Sequence, residues 1–209
     1  YYCALSLPDT ALVAYNGTHE KFVDDPAPAR VLFMMYPNVL QIVTTADSGI
    51  TQLSDLAGKR VSTGAPSSGT EYTALALLNA AGLKTDSFSK WARLGASESA
   101  DELSNGTLDA YVWSGGIPTG SVSELANTLQ RKGKKIALVS LDPQGKAVQA
   151  YEKEFPGLAN PITIPADVYG TAEDVASLGF WNQFLCPASM PDDAAYAITK
   201  AVFEHIDKL

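Results

Sequence analysis

"STGAPSSGTEYTALALLNAAG" occupies Ser62–Gly82. The stretch that leads into it, "KRVST" at 59–63, reads as a strand. From Glu71 to Ala81 the pattern changes. Ala74, Leu77, Leu78 and Ala81 follow the three-, four- and seven-residue spacing of one helix face. A Gly/Pro/Ser loop joins the two. A strand that breaks into such a loop and enters a helix is half of a βαβ unit. In open α/β sheets, ligands sit beyond the carboxyl ends of the strands. The first helical turn also has unpaired amides and a positive dipole end. Ser67, Ser68 and Thr70 add hydroxyls, and Gly69 lets a ligand approach the backbone. Together these features suit an anion.

The phosphate-loop pattern asks for Gly-x-x-x-x-Gly-Lys-Ser/Thr. Gly64 and Gly69 have the right spacing, but Thr70 and Glu71 stand where Lys and Ser/Thr are required. The Glu71 carboxylate would repel a triphosphate, so a nucleotide is rejected and a small carboxylate fits better. Ser68-x-x-Glu71 also reads as a helix capping box, and capping alone explains both residues. The readings are compatible, since one hydroxyl can cap while its neighbours bind. A second strand end, "AYVWSGGIPTG" at 110–120, would lie on the same side of the sheet if its strand runs parallel to "KRVST" as a neighbour. There Trp113 suits a wall against a ligand's methylenes. A core tryptophan is the plain alternative.

Outward from these stretches, strand and helix patterns alternate. Strands are expected at Tyr2–Leu7, at "VLFMMY" and "LQIVTTA" separated by Pro-Asn, at "TLDAYVWSGG", at "KKIALVSL" and across "SLGFWNQFLCPA". "ITIPADVYG" reads as a strand or an extended crossover. Helices are expected at "PDTALVAYNGT", "SGITQLSDLAG", "SESADELSNG", "PTGSVSELANTLQRKG" and Gly145–Glu154. A final helix starts near Pro191, with Pro191 at its first position and Met190 or Ser189 as cap. This is an α/β fold with largely parallel strands. Asn16-Gly17 and Asn105-Gly106 match glycosylation sequons with the threonine that follows each, yet they read better as turns that stop helices.

The chain has 209 residues and 46% hydrophobic residues, enough to bury a core as one domain or two small lobes. Its formal net charge of -8 argues against nucleic acid and against an anionic membrane surface. "RKGKK" at 131–135 reads as a solvated loop. No apolar run is long enough for a membrane-spanning helix. The two cysteines, Cys3 and Cys186, permit one disulfide and no thiolate metal site; two buried reduced thiols are the expectation. No cofactor loop, metal-ligand cluster or nucleophile–base pair emerges, so an enzyme is the less favoured class. The strand-like opening and helical close suggest a fragment.

"YPNVLQIVTTADSGITQLSDLAGKRVSTGAPSSGTE" at 36–71 resembles the solute-binding proteins of the TRAP-associated extracytoplasmic immunogenic (TAXI) family. "SLPDTALVAYNG", "ELSNGTLDAYVWSGGIPT" and "ITIPADVYG" extend the likeness over most of the chain. The resemblance implies a bilobed, periplasmic-binding-protein fold (type II-like) of two mixed, mainly parallel sheets with a hinge. Lobe I would take 1–43, lobe II 44–165, and 166–209 would return to the hinge and lobe I, with the family's first strand and helix missing. It implies a periplasmic or extracytoplasmic receptor that hands a small carboxylate, such as glutamate or a 2-oxoglutarate-like acid, to the membrane components of a sodium- or proton-driven TRAP transporter. No metal or cofactor is implied, nor insertion of the chain into the membrane. Alternatives on the same fold are a receptor of an ABC importer and the effector domain of a regulator.

Carried onto this sequence, Ser67, Ser68, Gly69, Thr70 and Glu71 should hold the ligand carboxylate. Asp9 and Thr10 should line the cleft from the first lobe. Tyr36 should reach the ligand from the hinge. Trp113, Ser114 and Gly115 should form the second-lobe floor, with Tyr169 as a further candidate. Two departures stand out. Ser67 replaces the first glycine of the family's Pro-Gly-Ser-Gly-Thr. Trp113 is larger than the small residue expected there, which would favour a shorter ligand.

Overall fold

Strand β3 (Arg60–Ser62) leads through a short loop into helix α2 (Gly69–Ala80), as the Ser62–Gly82 pattern predicts. Strand β4 (Lys90–Ala92) pairs parallel with β3 on one side. Strand β5 (Ala110–Gly115) pairs parallel with β3 on the other, Val61 opposite Ala110 and Ser62 opposite Tyr111. The structure, a computed structural model, describes residues 2–208.

The chain divides into two units. One spans 37–180; the other takes the chain up to Tyr36 together with Trp181 onward. Two long strands, β2 (Ala29–Thr45) and β8 (Val175–Pro187), contribute residues to both units. The two strands expected on either side of Pro37-Asn38 are thus one continuous strand. Proline removes one backbone donor from a ladder but keeps an extended φ, so β2 passes through it.

In the 37–180 unit the path of hydrogen-bonded strands runs β8-β2-β5-β3-β4, with β6 (Ile136–Leu138) on β2 and β7 (Asn160–Ile164) on β8. The pairs β2–β5, β2–β6 and β7–β8 are antiparallel. The mixed α/β class holds, within one eight-stranded sheet that is less parallel than the alternating pattern predicts. An alternation of strands and helices gives chain order, not neighbours, and β5 here lies between β2 and β3.

Arg60 and Asp109 lock the amino ends of β3 and β5 together. The Asp109 carboxylate accepts from the Arg60 amide at 2.8 Å, from Nε at 3.0 Å and from Nη2 at 2.6 Å. The arginine holds that carboxyl below the usual aspartate range. One face of the sheet packs Val39, Val43 and Tyr111 against α4 (Gly120–Arg131), which buries Val122, Leu125 and Leu129 at helical spacing. Helix α2 buries Leu77 and Leu78, and its Tyr72 meets Phe155, beyond α5 (Lys146–Glu154), edge-on at 6.2 Å. Helices α3 (Ala96–Ser104) and α6 (Ala166–Tyr169) complete the unit. "ITIPADVYG" is therefore both strand and helix, the latter stopped by Gly170 at φ 72°. Gly17 at φ 62° and Gly106 at φ 75° supply the expected Asn-Gly turns.

The second unit holds β1 (Ala4–Ser6), which pairs antiparallel with β8, and α1 (Pro8–Asn16). Phe33 stacks on Phe184 at 4.8 Å and meets Phe203 edge-on at 6.2 Å. Helix α7 (Asp192–Glu204) buries none of its residues. Pro191 stands at its N-cap rather than its first turn, and no side chain caps it. Asp192 and Asp193 instead place negative charge at the positive helix end.

Cys3 and Cys186 form a disulfide, correcting the expectation of two reduced thiols. The β1–β8 register sets Ala4 opposite Leu185, so the two cysteines are adjacent across the ladder. Reduction with dithiothreitol is expected to lower stability by about 2–4 kcal/mol, read as a drop in melting temperature; an unchanged melt would show that the bond constrains nothing. The Tyr111 hydroxyl is buried without a partner among the described residues. Tyr111→Phe should therefore keep stability or raise it by up to about 1 kcal/mol in chemical denaturation, whereas a clear loss would reveal a bonded hydroxyl.

Candidate functional site

Because β3, β4 and β5 run parallel, their carboxyl ends meet at one edge of the 37–180 unit. Ser68 is the N-cap of α2, and its Oγ accepts the Glu71 amide at 3.1 Å. The reciprocal bond of a capping box is shifted by one residue. The Glu71 carboxylate accepts the amide of Ser67 at 2.7 Å instead. Ser67 has φ 64° and is the one non-glycine with positive φ among the described residues. Glycine would adopt that geometry without strain. Gly64, at φ 108°, lets the loop pass the helix start; a Cβ would lie 2.9 Å from the Glu71 amide nitrogen and from Thr70 Cγ2.

Glu71 is buried, and its charge is met by Arg93, which follows β4. Arg93 Nε donates to one carboxylate oxygen and Nη2 donates to the other at 2.9 Å. The Arg93 guanidinium lies 5.3 Å from the Trp91 ring centroid, and Trp91 Nε1 donates to Thr63 Oγ1 at 2.9 Å. Glu71 thus faces inward as a structural carboxylate. The amides of Gly69 and Thr70 remain without acceptors among the described residues, so the first turn of α2 keeps its capacity for an anion.

At the end of β5, Trp113 folds back over Gly115. A Cβ at 115 would clash with Trp113 Nε1, so glycine leaves room for the indole in this position. Trp113 Nε1 donates to Thr119 Oγ1 at 3.2 Å. Thr119 Oγ1 donates to the Gly116 carbonyl at 2.6 Å and accepts from Gln41 Nε2 at 3.1 Å. Tyr169 accepts the Thr119 amide at 2.7 Å and donates to Gln41 Oε1 at 2.8 Å. Every polar group of this closed network has a partner, which fixes the indole. Side chains alternate along β5. Tyr111 and Trp113 belong to the face packed by α4, so Ser114 points to the face that carries α2. Its hydroxyl is buried and has no partner among the described residues.

Ser67–Glu71 and Trp113–Gly115 therefore stand at the ends of adjacent strands. The Tyr169 hydroxyl is engaged in the network that holds Trp113. Asp9, Thr10 and Tyr36 belong to the other unit. Asp9 is buried in the first turn of α1 and accepts the Thr10 amide at 2.7 Å, while Tyr36 is exposed. Arg93, Gln41 and Thr119 were not singled out from the sequence. Arg93 follows a strand of three residues, too short to show periodicity, and only the fold brings Gln41 to Thr119. A depression of about 350 Å³ between α4 and α6 does not reach the start of α2. Among the described residues no group could hold a metal ion, and no helix is long and apolar enough to cross a membrane.

The NMT1-like family matches residues 2–209. Three solved structures align with the chain. A TctC solute-binding protein from Polaromonas is 17% identical, with 98% of this chain aligned to 63% of that one at a TM-score of 0.46. An arginine transport system periplasmic binding protein from Legionella pneumophila is 14% identical over 89% of this chain and 62% of that one, at 0.45. The periplasmic aliphatic sulphonate-binding protein SsuA from Escherichia coli is 16% identical over 72% and 49%, at 0.44. The chain spans less than two thirds of the length of each.

Ser67→Gly should relieve a left-handed backbone at a side-chain-bearing residue and raise stability by about 0.5–1 kcal/mol in guanidinium titration. Gly64→Ala should do the opposite, by about 1–3 kcal/mol. Equal stability of the two variants would remove the strain argument.

Proposed function

The chain belongs to the NMT1-like family, and we propose that it is an extracytoplasmic solute-binding receptor for a small carboxylate. It is a binding protein and not an enzyme. The observation that carries this reading is the pairing of two unsatisfied donor sets at one strand end. The Gly69 and Thr70 amides open α2, and the buried Ser114 hydroxyl lies at the end of the adjacent parallel strand. An oxyanion there would accept from the amides and the hydroxyl and would gain from the helix dipole. Charge does not oppose it, because Arg93 neutralises Glu71. The TAXI resemblance adds Trp113, which lies on the other face of β5 from Ser114 and is fixed by Thr119, as a wall for a carbon chain that passes beyond the strand end.

Glutamate and 2-oxoglutarate-like acids are the ligands of choice, and the membrane components of a TRAP-type transporter are the partner. Both assignments rest on the likeness of "DLAGKRVS" and "GAPSSGTE" to the TAXI pattern. An extracytoplasmic setting suits the Cys3–Cys186 disulfide, which persists where the surroundings oxidise.

Calorimetry with glutamate and 2-oxoglutarate tests the reading. Thr70→Ala keeps the amide but removes the hydroxyl beside it, which the TAXI resemblance also assigns to the ligand, and should weaken binding about tenfold while the fold persists. Ser114→Ala should act in two directions, weakening the ligand by a similar factor and leaving the ligand-free melt unchanged or raised. Unchanged affinity in both variants would remove this strand end from the site.

A further inference from the structure

We propose that Arg93 is a specificity-determining residue of the solute site, selecting acids that carry a second anionic group. The inference rests on the acid-receptor reading above and adds a residue that no motif in the sequence marks. Arginine presents five N–H donors on a planar fork. In Arg93, Nε and one hydrogen of Nη2 face Glu71. Both Nη1 hydrogens point away from that carboxylate and have no acceptor among the described residues.

The guanidinium is held from two directions, edge-on by Glu71 and face-on by Trp91. Trp91 is itself tied to Thr63 at the end of β3. A side chain fixed in this way loses little freedom when it binds, so its outward edge is a preorganised anion contact. The edge is accessible, since the Arg93 side chain is 41% exposed while Glu71 is 7% exposed. It also lies close to the helix start, because the same Glu71 carboxylate bridges Arg93 to the Ser67 amide. One acid group of the solute meets the α2 amides; the other meets Nη1. Glu71 supplies the negative charge that keeps the arginine in place, and the solute meets the edge that Glu71 leaves uncovered.

The test is calorimetric titration of the full chain with glutarate and with butyrate, which differ by one carboxylate. The unmodified chain should favour glutarate about tenfold or more, the size of one charge-assisted contact. The double variant Glu71→Gln/Arg93→Gln removes the pair without leaving a lone buried charge, and should bring the two affinities to within about threefold. A thermal melt establishes that it is folded. Where it is not, Arg93→Lys gives the answer: an ammonium held by Glu71 has no second fixed edge, so the glutarate preference should fall there too. A preference that survives in the folded variant, or one absent from the unmodified chain, overturns the role of Arg93 and leaves the receptor reading standing. Binding of neither acid by the unmodified chain would overturn both.

Discussion

One buried carboxylate organises the strand end on which the functional reading depends. Glu71 closes the loop before α2 by accepting the Ser67 amide and is itself held by Arg93. A carboxylate this buried carries a desolvation penalty of several kcal/mol unless it is paired and hydrogen-bonded, and here both conditions are met. Donors to it come from two segments: Ser67 in the loop after β3 and Arg93 just beyond β4. The pair therefore ties together the two strand ends that the parallel register brings side by side. It also holds Ser67 in a conformation that a side-chain-bearing residue seldom adopts.

The end of the adjacent strand β5 is built by different means. Trp113 is fixed through neutral hydrogen bonds among Thr119, Gln41, Gly116 and Tyr169, with no ion pair in the set. Gly115 supplies the space and the network supplies the direction. An aromatic side chain restrained in this way has little freedom left to lose. Charge at α2 and shape at β5 are thus handled by separate groups, and a change to one need not disturb the other.

The sequence made the βαβ core legible because its signals are local. The Ser62–Gly82 transition, the apolar spacing of α2 and the Asn-Gly stops at 17 and 106 all express backbone preferences of neighbouring residues. Long-range facts left little trace. The β4 strand is three residues long and carries no period, so Arg93 stayed hidden. The union of Gln41 with Tyr169 spans 128 positions. Pro37 reads as a break, yet β2 continues through it. Ser68-x-x-Glu71 reads as a capping box, but the Glu71 carboxylate reaches the amide one residue earlier, at Ser67, a shift that the local spacing does not encode.

The Cys3–Cys186 bridge has a topological consequence. The sulfurs are 183 positions apart in sequence, so the bond closes a covalent ring that contains the whole of 37–180. Tension on the segments outside the ring would pass through sulfur and not along β3, α2 or β5. The unit bearing the strand-end donors is mechanically insulated from its own termini, and only a reductant could put it in line with a pulling force.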